Sequence, residues 1–377
     1  MKVRVAIVGL PNVGKSTLFN ALAKQSIAAA ENFPFCTIDP NITPVEMPDK
    51  YLKPLAQQAK SKRAVSAKIE FIDVAGLVKG ASNGEGLGNR FLATVRECDA
   101  IIHVLRNYID NDIIHVDGRV DPILDAEVVN LELLLADEAH IERRLEKQKS
   151  CISDERFILE NVLAQLKKGL PARSIGLSVE EKKIIKSMGL LTLKPVIYAI
   201  NIDEIDFIFD MDESEKLAKH IVNSIPFSDS TNDMYTVISA KLDAALSETD
   251  KNQQVAFLES LGLNNAEHQK EVLENLSHIS LPLLVKRLLD LSCVYTGPGV
   301  ASERSQTTKA HIFQQNYLTP LELAGKLHGD IQRGFIKAEV IKASDLIQYA
   351  SFSTAKTSIE GRDYQIQSND VVLIKWK

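Results

Sequence analysis

Short apolar runs separated by polar turns recur along the chain and alternate with stretches of helical periodicity. Such runs predict β-strands because they are too short for buried helices and are bounded by turn residues. Strands that alternate with helical segments are typical of an α/β fold with a mostly parallel sheet. The five runs that predict this sheet are residues 3–8, 67–72, 99–105, 195–200 and 234–238.

Between the third and fourth of these strands, the apolar positions follow helical spacing in two stripes. Asp121 and Pro122 supply an N-cap and a first-turn proline for the first helix. Two successive amphipathic helices predict an antiparallel pair that projects as an arm, although two ordinary core helices fit the same pattern. Charged residues on the outer part, such as Arg143 and Lys147, favour the arm. The stripes are Val128, Leu131, Leu134, Leu135, Ile141 and Leu145, then Ile152, Leu159, Val162, Leu163 and Leu166.

Composition narrows the class of protein. The chain has 377 residues, 45% of them hydrophobic and 25% charged, which predicts a soluble globular protein of two or three domains. A formal net charge of −6 means that any contact with nucleic acid or an anionic surface needs a local basic patch, so we expect no free DNA partner.

The lack of a recognisable targeting signal and the spacing of the cysteines predict a cytoplasmic protein. No apolar run is long enough to span a bilayer, and the first strand begins too early for a signal peptide, so we expect no membrane partner. The cysteines show no metal-binding spacing and are predicted to be reduced thiols. They are Cys36, Cys98, Cys151 and Cys293.

The segment Gly9–Ser16 carries the strongest chemical signal. It reads Gly-Leu-Pro-Asn-Val-Gly-Lys-Ser between an apolar strand and a helical run, which is the complete phosphate-loop pattern in its proper context. Backbone N–H groups of such a loop surround a phosphate chain, the lysine reaches the β- and γ-phosphates, and the serine hydroxyl ligates Mg²⁺. The chain is therefore predicted to bind a nucleoside triphosphate through Asn12, Val13, Gly14, Lys15, Ser16 and Thr17.

Two further segments predict a nucleotide-sensing metal site. Thr37 lies in a proline-broken loop where a switch protein places the threonine that closes over the γ-phosphate and Mg²⁺. Asp73 ends the second predicted strand and is expected to hold Mg²⁺ through water opposite Ser16. The N–H of Gly76 is expected to sense the γ-phosphate, so this loop is predicted to be a two-state element.

The ends of the fourth and fifth strands predict how the base is read. The segment after the fifth strand, Ser239-Ala240-Lys241, matches the Ser-Ala-Lys of guanine-nucleotide switches. The segment after the fourth strand departs from the usual Asn-Lys-x-Asp, because Ile202 replaces the lysine and Glu204 replaces the aspartate. Asn201 remains available to bind a purine, whereas a glutamate one methylene longer should spoil the bidentate contact with guanine. Asp203 stands one position early and would reach guanine only if the turn were remodelled. We therefore predict ATP as the nucleotide, with GTP as the alternative.

Taken together, these motifs resemble those of the Obg-like ATPase family (YchF type), and the resemblance extends over essentially the whole chain. It implies a Ras-like P-loop nucleotide domain with an inserted helical arm, and a small C-terminal β-grasp module called a TGS domain. The implied domains are 1–136 and 190–292 for the nucleotide domain, 137–189 for the arm and 293–377 for the TGS domain. The segments that carry the resemblance are Gly9–Ser16, 32–41, 73–89, 113–116, 201–204 and 239–241.

The resemblance also implies an activity. Members of the family hydrolyse ATP and associate with ribosomes, so we expect a ribosome-associated, Mg²⁺-dependent ATPase linked to translation or stress.

Leu77 stands where many GTPases keep a glutamine that orients the attacking water. The family pattern implies His115 as the catalytic residue instead, although a histidine that is merely packed or solvated is almost as compatible with the sequence. In related P-loop switches an asparagine at the position of Asn12 helps to bind K⁺, so we expect K⁺ as a second cation; the alternative is that Asn12 only shapes the loop. A GTPase of ribosome assembly and a nucleotide-stabilised scaffold with negligible turnover are the two alternatives.

Overall fold

The computed structural model describes residues 2–30, 41–74, 87–110, 118–147, 153–229, 231–300, 307–314 and 317–377, without the side chains of 26–30 and 87–89. The chain forms two compact units. The larger unit contains Val3–Val45 and Glu70–Leu281, and the smaller unit contains Glu46–Ile69 and Pro282–Lys377.

The described residues contain twelve β-strands and fifteen α-helices. The strands are β1 Val3–Val8, β2 Ile42–Glu46, β3 Arg63–Val65, β4 Lys68–Asp73, β5 Ala100–Arg106, β6 Val196–Asn201, β7 Met234–Ile238, β8 Leu291–Thr296, β9 Thr307–Gln314, β10 Phe335–Lys342, β11 Ser358–Glu360 and β12 Asp370–Trp376. The helices are α1 Lys15–Ala30, α2 Leu52–Gln58, α3 Leu87–Arg96, α4 Pro122–Lys147, α5 Asp154–Leu166, α6 Val179–Ile184, α7 Glu204–Phe209, α8 Met211–Asn223, α9 Ala240–Ser247, α10 Lys251–Ser260, α11 Ala266–Glu274, α12 Ser277–Leu288, α13 Pro320–Leu327, α14 Gly329–Arg333 and α15 Ala343–Leu346.

The first sheet has the strand order β2-β4-β1-β5-β6-β7, and its neighbouring strands from β1 to β7 pair in parallel. Every residue of β5 and β6 is buried, as expected for parallel strands that are covered on both faces. All five predicted strands are present, within one residue of their predicted bounds. Because parallel strands end at the same edge, the segments that follow β1, β5, β6 and β7 come together there.

One strand of this sheet was not predicted. β2 contains Pro44, which interrupts a strand pattern in the sequence. Its position at the end of the strand order explains how the proline is accommodated, because an edge strand has one side that needs no ladder hydrogen bonds.

The two predicted helices of the arm are α4 and α5. Leu124 N–H donates to the Asp121 carboxylate at 3.1 Å, so the predicted N-cap is present. The ion pairs Arg144–Glu155 at 3.0 Å and Glu142–Lys167 at 2.7 Å join the helices in antiparallel order. Their apolar stripes meet in a core that includes Leu134, Ile141, Leu159, Val162, Leu166 and Met188.

The smaller unit has the strand order β11-β10-β12-β8-β9-β3. β8 and β9 form an antiparallel hairpin, α13 follows in the chain, and β12 pairs in parallel with β8 and antiparallel with β10. This is the topology of a β-grasp sheet, which agrees with the predicted C-terminal module; its assignment as a TGS domain stays a prediction. The core contains Val294, Phe313, Leu323, Ala338, Val340 and Val372.

The observed units differ from the predicted domain bounds in three respects. Residues 282–292, which the sequence assigned to the nucleotide domain, lie in the smaller unit. Glu46–Ile69, which the sequence assigned to the nucleotide domain, belongs to the smaller unit, because β3 pairs in parallel with β9. Residues 137–189, predicted as a separate arm, belong to the larger unit together with its sheet. None of the helices in the described part of the chain is long and apolar enough to cross a membrane.

Candidate nucleotide site

The phosphate loop lies between β1 and α1 and has an unusual backbone. Gly9, Asn12 and Gly14 adopt φ values of 151°, 63° and 102°. A Cβ atom on Gly9 would lie 2.5 Å from the Val104 carbonyl oxygen, and one on Gly14 would lie 2.3 Å from Asn201 Nδ2. The two glycines are therefore required by close contacts as well as by backbone conformation.

Lys15 is buried at the first position of α1. Its Nζ donates to the Leu10 carbonyl oxygen at 2.6 Å, which holds the ammonium group inside the curve of the loop. Burial lowers the pKa of Lys15 to about 8, and the nearby carboxylate of Asp73 opposes this shift. A phosphate bound in the loop would favour the charged form of Lys15 further.

The predicted metal ligands Ser16 and Asp73 are adjacent. Ser16 Oγ donates to Asp73 Oδ2 at 3.4 Å, and Asp73 Oδ1 is buried without a hydrogen-bond partner among the described residues. Burial raises the pKa of Asp73, while Lys15 and the Ser16 hydrogen bond lower it. A hydroxyl beside an unpaired carboxylate oxygen is the donor set that suits Mg²⁺ when phosphate and water complete its shell.

The structure leaves part of the predicted site undescribed. Thr37, Gly76 and His115 lie outside the described residues. In the part of the chain that is described, no group of three or more His, Cys, Asp or Glu residues is arranged to hold a metal ion. A site that relies on one serine, one aspartate and the phosphates of a ligand needs no such group.

A cavity of about 220 Å³ adjoins the loop at the ends of β5, β6 and β7. It brings together most residues that were predicted to bind the base, since Asn201, Ile202, Glu204, Ala240 and Lys241 line it, and Gly14 and Thr17 of the predicted phosphate site line it as well. Ser239 is buried directly beside it and caps α9, since its Oγ accepts from Leu242 N–H at 3.4 Å.

Asn201 connects three parts of this site. Its side-chain Nδ2 donates to the Val13 carbonyl oxygen at 3.0 Å, and its Oδ1 accepts from Ala240 N–H at 2.9 Å. The side chain is buried at the end of β6. Asn201 therefore joins the phosphate loop to the segment after β7, and one of its amide hydrogens stays available for a base.

The acidic residues after Asn201 have different roles. Asp203 caps α7, because its Oδ1 accepts from Ile205 N–H at 3.0 Å. Glu204 Oε1 forms an ion pair with Lys241, and Glu204 Oε2 is buried without a hydrogen-bond partner among the described residues. Glu204 thus presents an unpaired acceptor beside the cavity, whereas the Asp203 carboxylate is engaged by its own helix.

One wall of the cavity was missed by the sequence analysis. It consists of Tyr108, Ile109 and Asp110, which follow β5. Arg106 supports this wall: it is buried, its guanidinium stacks 4.6 Å from the centre of the Tyr108 ring, and it donates to the carbonyl oxygens of Tyr108 and Asp110 at 3.1 and 3.2 Å. The signal that could have indicated this wall was an arginine at the end of a buried strand.

Comparisons with known proteins find relatives that match the chain over nearly its whole length. A family described as 50S ribosome-binding GTPase matches residues 4–137, and a C-terminal family described as a protein of unknown function matches residues 304–377. The curated ribosome-binding ATPase YchF of Bacillus subtilis (strain 168) is 40% identical over 99% of this chain and 98% of its own length. The protein of the same name from Escherichia coli O157:H7 is 39% identical over the same shares.

Two solved structures also match the chain over nearly its whole length. The structure of the Schizosaccharomyces pombe YchF GTPase matches with a TM-score of 0.82 and 30% identity, covering 99% of this chain and 98% of that one. A GTP binding protein from Pyrococcus horikoshii OT3, at 20% identity and a TM-score of 0.54 with both chains fully covered, shares the fold. The phosphate loop, the altered base-reading segment and these full-length similarities show that the chain belongs to the YchF family of P-loop nucleotide-binding proteins.

Proposed function

We propose that this protein is a ribosome-associated, Mg²⁺-dependent ATPase that hydrolyses ATP to ADP and phosphate. The observation that carries the proposal is the base cavity, in which Ile202 and Glu204 replace the lysine and aspartate of a guanine site. The names of the relatives support both parts of the proposal, since those proteins are called ribosome-binding ATPases.

The phosphate loop and Lys15 would hold the triphosphate, with Ser16 and Asp73 placed to hold Mg²⁺. The ion would neutralise charge on the β- and γ-phosphates. The buried, unpaired Asp73 Oδ1 supports this assignment, because a buried acceptor without a partner is costly unless a ligand completes it. Thr37 and Gly76 are proposed to contact the γ-phosphate side and to change position after hydrolysis.

Water activation is assigned to His115. Leu77 stands where a glutamine would orient the attacking water, and a leucine side chain forms no hydrogen bond. His115 is the residue that the family pattern offers in its place. K⁺ is proposed as a second cation near Asn12, where it would add positive charge beside the phosphates.

Adenine is the base that the cavity favours. The remaining Asn201 amide hydrogen suits the N7 acceptor of a purine, and the unpaired Glu204 Oε2 suits the exocyclic amino group of adenine. In a guanine site both oxygens of an aspartate accept, from N1–H and the 2-amino group. Here Lys241 occupies Glu204 Oε1, which leaves one unpaired oxygen on Glu204, and Asp203 Oδ1 caps α7. GTP stays the alternative, since one matching family and the S. pombe protein are named GTPases.

Turnover of ATP with and without purified ribosomes, with binding followed in the same samples, tests the proposal. We expect slow ATP hydrolysis that requires Mg²⁺, and association with ribosomes that depends on the bound nucleotide. Lys15→Ala is the control that should abolish both. Tight binding of nucleotide with no turnover in any sample would favour the scaffold alternative and contradict the proposal. Ribosome association would place the protein in the cytoplasm.

A further inference from the structure

Arg106 is buried at the end of β5, behind the wall of the nucleotide cavity that Tyr108, Ile109 and Asp110 form. It is 1% exposed and is not among the described residues that line the cavity, so it acts on the wall and not on a bound ligand. A buried guanidinium is costly unless its N–H groups are paired. The groups to which Arg106 donates therefore show what this side chain holds in place.

The guanidinium holds the wall by its backbone and by one ring. Arg106 Nε donates to the Tyr108 carbonyl oxygen at 3.1 Å and Nη2 donates to the Asp110 carbonyl oxygen at 3.2 Å, so the two bonds lie on either side of Ile109. The guanidinium carbon also lies 4.6 Å from the centre of the Tyr108 ring. The planar fork of an arginine restrains two backbone groups at once, which the single ammonium of a lysine does poorly.

The wall also begins at a fixed point. Arg106 is paired with Asn201 in the register of β5 and β6, and Asn107 N–H donates to the Asn201 carbonyl oxygen at 2.8 Å. The side chain of Asn201 in turn bonds to the phosphate loop and to the segment after β7. The wall and the phosphate loop are therefore held by the same residue, and the wall is in place before a nucleotide binds.

Ile109 is the side chain that this arrangement exposes. At 84% it is the most exposed of the large hydrophobic residues in the described part of the chain, and it lines the cavity. A single exposed isoleucine elsewhere on the surface would need no explanation. Here the bonds on both sides of it fix its backbone, so its apolar surface is available to a ligand in the cavity.

We propose that Arg106 is a positioning residue for nucleotide binding, which holds Ile109 at the rim of the cavity so that Ile109 covers the nucleoside part of the ligand. A wall that is already ordered loses little conformational entropy on binding, so the contact with Ile109 contributes directly to affinity. The inference rests on the proposed function, because it assigns nucleoside contacts in the same site. The phosphate loop binds the phosphates, and the wall adds affinity only when a nucleoside is attached to them.

Calorimetric titration with Mg²⁺-ATP and with Mg²⁺-tripolyphosphate tests the proposal, because tripolyphosphate carries the phosphates without a nucleoside. Arg106→Lys keeps the charge but loses the fork, and should lower ATP affinity by about tenfold, the scale of partly burying one isoleucine side chain. Its affinity for tripolyphosphate should equal that of the wild type. In turnover assays KM for ATP should rise by about the same factor while kcat stays unchanged, since the nucleoside contact is the same in substrate and transition state.

Ile109→Ser is the second variant, and it tests the wall without a buried substitution. Because Ile109 is exposed, its loss should not affect folding, yet it should lower ATP affinity several-fold and leave tripolyphosphate affinity unchanged. Phe157→Ser on α5, at 73% exposure and outside the cavity, is its matched control. Arg173→Lys is the control for Arg106→Lys, since Arg173 forms a bidentate pair with Asp233 at 2.6 Å away from the cavity. Both controls should bind ATP and tripolyphosphate as the wild type does.

Equal losses of ATP and tripolyphosphate affinity in Arg106→Lys would overturn the proposal, because Arg106 would then support the site as a whole. Unchanged ATP affinity in Ile109→Ser would also overturn it, even if Arg106→Lys does not fold. These titrations need no hydrolysis, so a protein without turnover would contradict the proposed ATPase and leave the inference on the wall intact. A preference for GTP would likewise change the base but not the comparison, which is then made with Mg²⁺-GTP.

Discussion

At the scale of single residues, Asn201 connects the phosphate loop to the base cavity. We expect Asn201→Ala to lower the free energy of unfolding by about 2–3 kcal/mol, because the Val13 carbonyl and the Ala240 N–H would be left buried without partners. ATP affinity should fall at least tenfold, since the loop and the cavity would no longer be held together. Chemical denaturation and calorimetric titration measure the two effects.

Glu204→Gln is the matched comparison for Asn201. It keeps the shape of the side chain but removes the charge that pairs with Lys241, an exposed partner, so its effect on stability should be below about 1 kcal/mol. Its effect on ATP affinity should also be the smaller of the two. A larger loss in Glu204→Gln than in Asn201→Ala would contradict this ranking.

His115 carries the prediction on water activation. His115→Ala should lower turnover of ATP by about 10²-fold while the affinity for ATP stays nearly the same, because a general base that orients water stabilises the transition state and not the bound substrate. Single-turnover kinetics with a parallel binding titration measures both quantities. Unchanged turnover in this variant would remove His115 from the mechanism.

Asn12 carries the prediction on monovalent cations. Its φ of 63° indicates that Asn12 shapes the backbone of the loop, since asparagine tolerates the left-handed region better than most residues. If it also helps to hold K⁺, replacement of K⁺ by Na⁺ at constant ionic strength should slow hydrolysis. Equal rates in the two salts would leave Asn12 with a structural role alone.

The residues of the site were predictable to the extent that they follow a motif. Gly9–Ser16 has fixed spacing, so its close contacts and the position of Lys15 follow from the sequence. Tyr108, Ile109 and Asp110 follow no motif, and their place in the cavity depends on the buried Arg106 that holds their backbone. The capping role of Asp203 was also hidden, because the sequence gives no sign that α7 begins directly after it.

At the scale of elements, a buried carboxylate is one of the groups that join the arm to the rest of the larger unit; another is Asn130 of α4, whose Nδ2 donates to the Tyr198 hydroxyl and the Pro226 carbonyl oxygen. Asp137 of α4 is fully buried and accepts hydrogen bonds from Leu191 N–H, Thr192 N–H and Thr192 Oγ1 at 3.0, 2.7 and 2.7 Å. These donors lie just before β6, so the base of the arm is joined to the central sheet.

Asp137→Ala should therefore lower the free energy of unfolding by about 3 kcal/mol, since it leaves two buried N–H groups and one hydroxyl without their acceptor. Glu146→Ala removes an exposed carboxylate from the same helix and should change stability by less than about 0.5 kcal/mol. Urea denaturation of both variants measures the difference. Equal stabilities would show that Asp137 does not hold the arm.

The long elements were easier to predict than the short ones. α4, α5 and five strands of the first sheet have clear periodicity. β2 is interrupted by Pro44, and β3 has three residues, too few for any period to be read. Neither strand could be predicted without knowledge of the partner with which it pairs.

At the scale of the whole molecule, the sequence predicted the fold class, whereas its domain bounds stay a prediction that divides the chain differently from the two compact units. The β-grasp order of β9, β8, β12, β10 and β11 agrees with the expected C-terminal module. The segment Glu46–Ile69 was assigned to the other domain, because chain order does not show that β3 pairs with a strand more than two hundred residues later. Pairing between distant strands is decided by tertiary packing.

The choice of base is the claim that distinguishes this protein from a GTPase. Calorimetric titration of one preparation with Mg²⁺-ATP and Mg²⁺-GTP tests it most directly. Ile202→Lys/Glu204→Asp restores the guanine-reading residues and is the matched variant, which should gain affinity for GTP. We predict that the wild-type protein binds ATP at least as tightly as GTP. A tenfold preference for GTP, about 1.4 kcal/mol, would contradict the account.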